Sequence, residues 1–289
     1  MKRILAPLTV ALAVGFGFIA LGLAGKAITM KGSDTMVILG QRWAEIYMQK
    51  TPGAVVQVTG GGSGTGIAAL INGTTDICQA SRPMKGSEKT KLKERYFTQG
   101  IELPVAKDGL AVYLHETNPV EALSLEQLKA IYTAKITNWK EVGGADARII
   151  LYGRENNSGT YVFFKDNVLT GADFAPTTAT LPGTAAVVNA VAKDKNGIGY
   201  GGAAYAKGIK FCKVSEKTGG EAFGPDLETV QSGQYPLARD LYWYFRTKPA
   251  GDIKKLVDWV LSPEGQAVVS EVGYFPVKGK AQSSAETGK

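Results

Sequence analysis

The stretch Ile28–Gln49 reads ITMKGSDTMVILGQRWAEIYMQ and contains a strand, a polar turn and a helix in direct succession. Its first four residues alternate between apolar and polar side chains, which is typical of a strand. Gly32–Thr35 is a helix-entry signal, and apolar residues recur at helical spacing from there to Gln49. The stretch therefore predicts a β-α unit whose connecting loop carries Ser33 and Thr35.

Two further segments repeat this order of strand, polar loop and helix. Residues 54–59 precede the glycine-rich loop Gly60–Gly66, and residues 149–152 precede the loop Gly153–Ser158. Strands and helices alternate along the rest of the chain, which predicts an α/β fold. Ligands of open α/β sheets bind outside the carboxyl ends of the strands, and all three polar loops follow strands.

Composition and charge fit an ordinary globular protein. The chain has 289 residues, of which 44% are hydrophobic and 20% are charged, and this length predicts roughly two domains. The formal charge of +7 falls to +4 once Lys2, Arg3 and Lys26 are left out. Because the sequence also has no run rich in Lys and Arg, we expect no nucleic-acid partner.

The N-terminus predicts export. Two basic residues precede an uncharged apolar stretch, Ile4–Ala24, and small residues follow it. This three-part pattern is typical of a secretory signal peptide, which we assign to residues 1–27. The apolar stretch is also long enough to span a bilayer, so an uncleaved N-terminal membrane anchor is the alternative.

The two cysteines and the single histidine limit the possible chemistry. Cys78 and Cys212 could form a disulfide in an oxidising compartment, but two buried free thiols fit the sequence equally well. With His115 they are too few for a structural zinc site of four Cys and His ligands. We expect no metal and no cofactor. We also expect no catalytic residue, because His115 lies in a predicted loop and is a poor candidate for a general base.

The three polar loops bring hydroxyls and main-chain N–H groups to the positive ends of helices. The hydroxyl pairs are Ser33 and Thr35, Ser63 and Thr65, and Ser158 and Thr160. A single Ser or Thr at such a place is usually a helix cap. Three loops in one cleft, with the cation of Arg154, would instead suit a small tetrahedral oxyanion.

Seven short motifs, in order between residues 28 and 277, resemble those of the PstS-type phosphate-binding proteins of ABC importers. They are Gly32–Met36, Gly62–Gly66, Ala80–Arg82, Asp108–Val112, Arg154–Thr160, Tyr235–Leu237 and Ser262–Gln266. Each motif alone is weak evidence for this family, but seven motifs in the same order over nearly the whole exported chain are specific for it.

The resemblance implies a two-lobed periplasmic binding protein fold of type II with two hinge crossings. Lobe 1 would combine residues 28–113 with 241–289, lobe 2 would span 118–235, and the hinges would lie near 114–117 and 236–240. Phosphate would be trapped between the lobes of a monomeric, periplasmic protein without enzymatic activity. The partner that receives the ion would be the membrane permease of an ABC importer.

The resemblance also implies the phosphate-binding residues. Thr35 and the N–H of Met36 would bind from the first loop and Ser63 from the second. The third loop would contribute the residues Arg154, Ser158, Gly159 and Thr160. Weaker candidates from the same comparison are Ser33, Thr65, Ser81 and Arg82.

One position departs from the family pattern. Some members carry an aspartate that accepts the phosphate proton where this sequence has Arg82. We predict Asp108 as the substitute, with Arg82 as a candidate ion-pair partner, and an ordinary turn aspartate as the alternative. A carboxylate facing the ligand would favour phosphate, which carries a proton, over sulfate, which does not.

Three other functions stay open from the sequence. The ligand could be another tetrahedral oxyanion such as sulfate, molybdate or arsenate. A secreted sensory or adhesive protein could use the same fold without an oxyanion. A phosphate-ester hydrolase is the third class, although the sequence offers it no metal cluster and no clear base.

Overall fold

A computed structural model describes residues 27–277. The predicted signal peptide lies outside these residues except for Ala27, as does the chain after Val277. The strands are β1 (Ile28–Gly32), β2 (Val56–Thr59), β3 (Ile77–Ala80), β4 (Ile101–Leu114), β5 (Ala122–Ser124), β6 (Ile150–Arg154), β7 (Ala179–Leu181), β8 (Gly197–Gly202), β9 (Lys210–Ser215) and β10 (Ala238–Phe245). The α-helices are α1 (Val37–Lys50), α2 (Ser63–Asn72), α3 (Gly86–Tyr96), α4 (Leu125–Tyr132), α5 (Gly159–Asn167), α6 (Gly183–Lys193), α7 (Leu227–Ser232), α8 (Gly251–Val260) and α9 (Pro263–Val272).

The strands form one continuous sheet in the order β2-β1-β3-β10-β4-β8-β6-β7, with β9 and β5 attached beside β4. Strand β1 pairs in parallel with β2 and β3, and β6 pairs in parallel with β7 and β8. The long strand β4 joins these two groups, because it pairs with β10 through residues 101–109 and with β8 through residues 110–114. The predicted α/β fold is confirmed.

Two large apolar cores lie on either side of this junction. The first contains Met30, Trp43 and Trp243 and packs helices α1, α8 and α9 against the sheet. The second contains Leu110 and Tyr200 together with the buried faces of α4 and α5. Each group of strands therefore has a core of its own, as a two-lobed protein requires.

The strand pairing favours another position for the first crossing between the lobes. Residues 110–114 pair with β8 and β9, and Leu110, Val112 and Leu114 belong to the second core. We therefore propose that β4 crosses at Gly109 and Leu110, not at 114–117. For the return crossing, predicted at 236–240, Leu237 packs in the second core and Leu241 in the first. Below, the first lobe means residues 27–109 and 238–277, and the second lobe means residues 110–237.

Both cysteines are buried free thiols. Cys78 packs in a small cluster beside α2 in the first lobe, and Cys212 lies in the second core. Burial raises the pKa of both thiols, that of Cys212 to about 12. Of the two states that the sequence left open, the structure shows the reduced one.

No helix within residues 27–277 has both the length and the apolar character needed to cross a membrane.

Candidate functional site

The three predicted loops meet where the two lobes face each other. The loop after β1 leads through a 3-10 turn, Asp34–Met36, into α1, and the loop after β2 leads into α2. From the second lobe, the loop after β6 leads into α5. Strands β1 and β6 lie in two parallel groups that run in opposite directions within the sheet, and contacts such as that of Thr35 with Thr160 bring their carboxyl ends together. The starts of three helices therefore converge with their positive ends directed at the cleft.

Five buried hydroxyls lie close together between the lobes, as one hydrogen-bonded pair and one hydrogen-bonded group of three. Thr35 Oγ1 of the first lobe and Thr160 Oγ1 of the second are 2.9 Å apart. In the first lobe, Ser33 Oγ donates to Ser81 Oγ at 2.9 Å, and Ser81 Oγ is 3.4 Å from Ser63 Oγ. All five residues are at most 2% exposed. A hydroxyl can turn to donate to an anion, so the cluster offers several neutral donors at one point.

Ser33 and Ser81, two of the weaker candidates, thus lie within the cluster. The side chain of Ser33 makes no capping hydrogen bond to the turn Asp34–Met36, so Ser33 does not act as a side-chain cap. The main-chain N–H of Ser81 donates to Ser63 Oγ at 3.1 Å, which fixes the end of β3 against the start of α2.

The main-chain groups of the predicted site are partly engaged with their own helices. Ser158 caps α5, because its Oγ accepts from the N–H groups of Thr160 and Tyr161. The N–H of Met36 donates to Ser33 O at 3.0 Å, while the Met36 side chain packs in the first core. Gly159 is the first residue of α5, and the N–H group at this position has no hydrogen-bond acceptor within the helix.

Arg154 is buried at the end of β6 and faces the first lobe. Its Nη1 donates to Thr184 Oγ1 at 2.8 Å, and its Nη2 donates to Asp34 Oδ2 at 2.7 Å. Burial lowers the pKa of Arg154, and the Asp34 carboxylate partly opposes this shift. The guanidinium keeps its charge at neutral pH, since its unperturbed pKa is above 12.

Asp108 is fully buried, and its partner is an arginine that the sequence analysis missed. Arg239 donates from Nε and Nη2 to Asp108 Oδ2 at 2.9 and 2.7 Å. The other carboxylate oxygen, Oδ1, has no hydrogen-bond partner. Arg239 Nη2 also lies 3.1 Å from Thr160 Oγ1 and 3.5 Å from Thr35 Oγ1, so this ion pair belongs to the hydroxyl cluster.

Arg82 is not the partner of Asp108, and its guanidinium is held elsewhere. It forms a two-pronged ion pair with Glu88 of α3, with N···O distances of 2.8 and 2.7 Å, and also donates to Pro83 O. The strand pairing explains the difference, because β10 places Arg239 directly opposite Asp108 across the sheet. The ion pair of Arg82 with Glu88 joins the end of β3 to α3.

The alternation along β10 was the signal that could have identified Arg239. Arg239, Leu241 and Trp243 alternate along the strand, and all three are buried. An arginine at such an inward position needs an acidic partner, because an unpaired buried charge is costly. Asp108 and Arg239 thus supply a second ion pair beside that of Arg154 with Asp34.

Thr65 has a different neighbourhood from the other candidates. It is half-buried, and its Oγ1 accepts from Asn157 Nδ2 of the second lobe at 3.3 Å. Asn157 also donates to Gly61 O at 3.0 Å and accepts from the Gly64 N–H at 2.9 Å. These contacts join the second and third loops at the rim of the hydroxyl cluster.

The charges of the site balance. Arg154 pairs with Asp34, and Arg239 pairs with Asp108, so two cations meet two anions. An anionic ligand would therefore be held chiefly by hydroxyls and by N–H groups at helix starts, as oriented dipoles do in other anion sites. Within residues 27–277, no group of three His, Cys, Asp or Glu side chains could hold a metal ion.

Comparison with known proteins identifies the family. A model of the PBP superfamily domain matches residues 22–264. The phosphate-binding protein PstS of Pseudomonas aeruginosa is 34% identical over 283 residues, which cover 92% of this chain and 87% of that protein. This chain belongs to the PstS family. The PstS of Staphylococcus aureus is 32% identical over 264 residues, covering 88% of this chain and 79% of that protein.

Solved structures support the same assignment for this PstS-family chain. A substrate-binding protein from Clostridium perfringens, assigned to phosphate ABC transport and solved with bound phosphate, superposes with a TM-score of 0.79 at 30% identity. The match covers 87% of this chain and all of that one. A phosphate transport receptor from Vibrio cholerae gives a TM-score of 0.70 at 28% identity, covering 86% of this chain and all of the other. The predicted family and the predicted two-lobed fold are confirmed.

Proposed function

We propose that this protein captures inorganic phosphate between its lobes, outside the cytoplasm, and delivers it to the membrane permease of an ABC importer. The PstS relatives and the phosphate-binding neighbours support this function. The periplasm as its location, the monomeric state and the absence of enzymatic activity are parts of the same proposal. Failure to hydrolyse a generic phosphate ester would be consistent with it.

The proposed ligand contacts come from both lobes. Thr35, Met36 and Ser63 would bind from the first lobe, assisted by Ser33 and Ser81. The second lobe would add Arg154, Ser158, Gly159 and Thr160. Because the Thr35 and Thr160 hydroxyls now contact each other, an oxyanion would insert between them and bind both. Closure on the ion would remove its water and engage donors from both lobes together.

The observation that favours phosphate is the carboxylate of Asp108. Arg239 fixes Asp108 Oδ2, while the fully buried Oδ1 has no partner and can accept one hydrogen bond. Phosphate at neutral pH carries at least one proton and can donate that bond. Sulfate carries none and would place a bare oxygen against the carboxylate. Sites built to bond a ligand group can reject an analogue that lacks it by about 10⁴- to 10⁵-fold.

The experiment is calorimetry with phosphate and then sulfate, on protein freed of bound ligand by unfolding and refolding. We expect one phosphate per chain and no sulfate heat. The Asp108→Asn variant should bind phosphate more weakly and admit sulfate. As a control, Asp240→Asn removes a carboxylate of the neighbouring strand that pairs with Lys107 away from the cleft, at 2.8 Å.

Each alternative result has a definite reading. Sulfate binding by the unaltered protein would assign it to another oxyanion, and no heat with either ion would point to a sensory or adhesive role. If Asp108→Asn bound phosphate as tightly as the unaltered protein and still excluded sulfate, Asp108 would not be the acceptor.

A further inference from the structure

The anionic partner of Arg154 lies across the cleft. Arg154 belongs to the second lobe, and its side chain is only 1% exposed. Inside its own lobe the guanidinium donates to a neutral group, Thr184 Oγ1. Asp34 of the first lobe is the one carboxylate within ion-pair distance of Arg154 in the described part of the chain. The charge of Arg154 is therefore compensated only while the lobes are together.

Asp34 is held firmly on the first-lobe side. Its Oδ1 accepts from the Gly61 N–H at 2.8 Å, and a Cβ at Gly60 would lie 2.5 Å from the same oxygen. Its main-chain oxygen accepts from the Tyr205 hydroxyl of the second lobe at 2.7 Å. One residue, next to the proposed ligand Thr35, thus receives two hydrogen bonds from the opposite lobe.

We propose that Asp34 is a positioning residue that orients Arg154 toward the bound anion and latches the closed lobes, and so sets the rate at which phosphate leaves. This inference rests on the proposed function, and it concerns a residue that the family motifs did not assign to the site. Asp34 binds no phosphate oxygen itself in this proposal; it acts through Arg154.

Asp34 should slow the release of phosphate because opening the cleft breaks its charge-assisted contact with Arg154. The Arg154 guanidinium is then left without its anion. Such bonds are stronger than neutral ones. Phosphate enters the open form, in which the Asp34 to Arg154 contact is not made, so the association rate should depend little on Asp34. Release requires opening, so the release rate should depend on Asp34 strongly.

The test compares Asp34→Asn with a matched control, Glu88→Gln. Glu88 also pairs with a buried arginine, Arg82, at 2.7 Å, but both residues lie in the first lobe. Calorimetry first establishes phosphate binding by the unaltered full chain, and release is then measured by chasing bound ³²P-phosphate with unlabelled phosphate. Asp34→Asn should release phosphate about tenfold faster at a nearly unchanged association rate. Glu88→Gln should release it at the rate of the unaltered protein.

Two results would overturn the latch while phosphate binding itself stood. Equal release rates for Asp34→Asn and the unaltered protein would remove the role of Asp34. Tighter binding by Asp34→Asn would show that its carboxylate mainly repels the anion. If Asp34→Asn does not fold, Tyr205→Phe deletes the second cross-lobe bond to the same residue and should also speed release; an unchanged rate would count against the latch.

A failure of the proposed function has a different signature. The unaltered chain would then bind no phosphate in the first calorimetric step. The latch would be judged by small-angle X-ray scattering, where Asp34→Asn should have a larger radius of gyration than the unaltered protein. Identical scattering profiles would overturn it.

Discussion

Gly159 is the position where a single methyl group should block closure of the cleft. A Cβ built there would lie 2.2 Å from Ser63 Oγ and 2.7 Å from Ser81 Oγ, both in the opposite lobe. Turning the Ser63 hydroxyl away does not relieve the clash, because Ser63 Cβ would also be only 2.9 Å away. Ordinary contacts begin at 3.4 Å, so the lobes would have to separate by about 0.5 Å even with both hydroxyls turned away, and by more than 1 Å with the Ser63 hydroxyl in place.

A separation of this size weakens binding across the cleft. A bound ion would take the place of the 2.9 Å contact between Thr35 and Thr160, and with the lobes held farther apart it could no longer reach donors of both lobes at full strength. With neutral hydrogen bonds near 1 kcal/mol and charged ones near 2, the loss is about 3 kcal/mol, or roughly 100-fold in Kd. We therefore expect Gly159→Ala to bind phosphate roughly 100-fold more weakly in calorimetry.

The matched control is Gly86→Ala. Gly86 is also the first residue of a helix, α3, but a Cβ there would meet nothing within 4 Å. Both variants should melt at nearly the temperature of the unaltered protein, because the Gly159 clash arises between lobes and not within one. Unchanged phosphate affinity in a folded Gly159→Ala protein would refute the reasoning, since the lobes would then not reach this closed geometry when they bind.

The remaining predictions concern Arg239, Glu88 and the two cysteine thiols. Arg239→Lys loses the two-pronged contact with its carboxylate and should weaken phosphate binding about tenfold or more in calorimetry. Burial raises the pKa of Glu88, but hydrogen bonds from Arg82 and the Lys85 N–H outweigh burial and leave this pKa below 4.5. A carboxyl group whose pKa is lowered by folding stabilises the folded protein at neutral pH. This stabilisation is lost as the pH falls through the lowered pKa. The melting-temperature gap between unaltered protein and Glu88→Gln should therefore shrink from pH 7 toward pH 3, and a constant gap would contradict this. The thiols of Cys78 and Cys212, whose pKa values are raised by burial, should react with a thiol reagent only after unfolding; two unreactive sulfurs in the unfolded chain would indicate a disulfide.

The sequence by itself determined the features that depend on neighbouring residues. The predicted β-α units at the three loops are present, from β1 through α5, because alternation and helix-entry signals are local. The order of seven motifs was enough to predict the family and the two-lobed fold. The hydroxyls of Thr35 and Ser63 could be placed near one another, since β1 and β2 are parallel and their carboxyl ends share one edge of the sheet. Thr160 joined them through the family resemblance.

Only the tertiary structure decided which charges pair. Arg82 is closer to Asp108 in the sequence, but Arg239 lies opposite Asp108 because β10 runs antiparallel beside β4. In the same way, Asp34 meets Arg154 only because two lobes face each other, over a separation of 120 residues. Ion pairs of this kind depend on strand register and lobe closure, which join distant parts of the chain. Local sequence patterns carry no information about either.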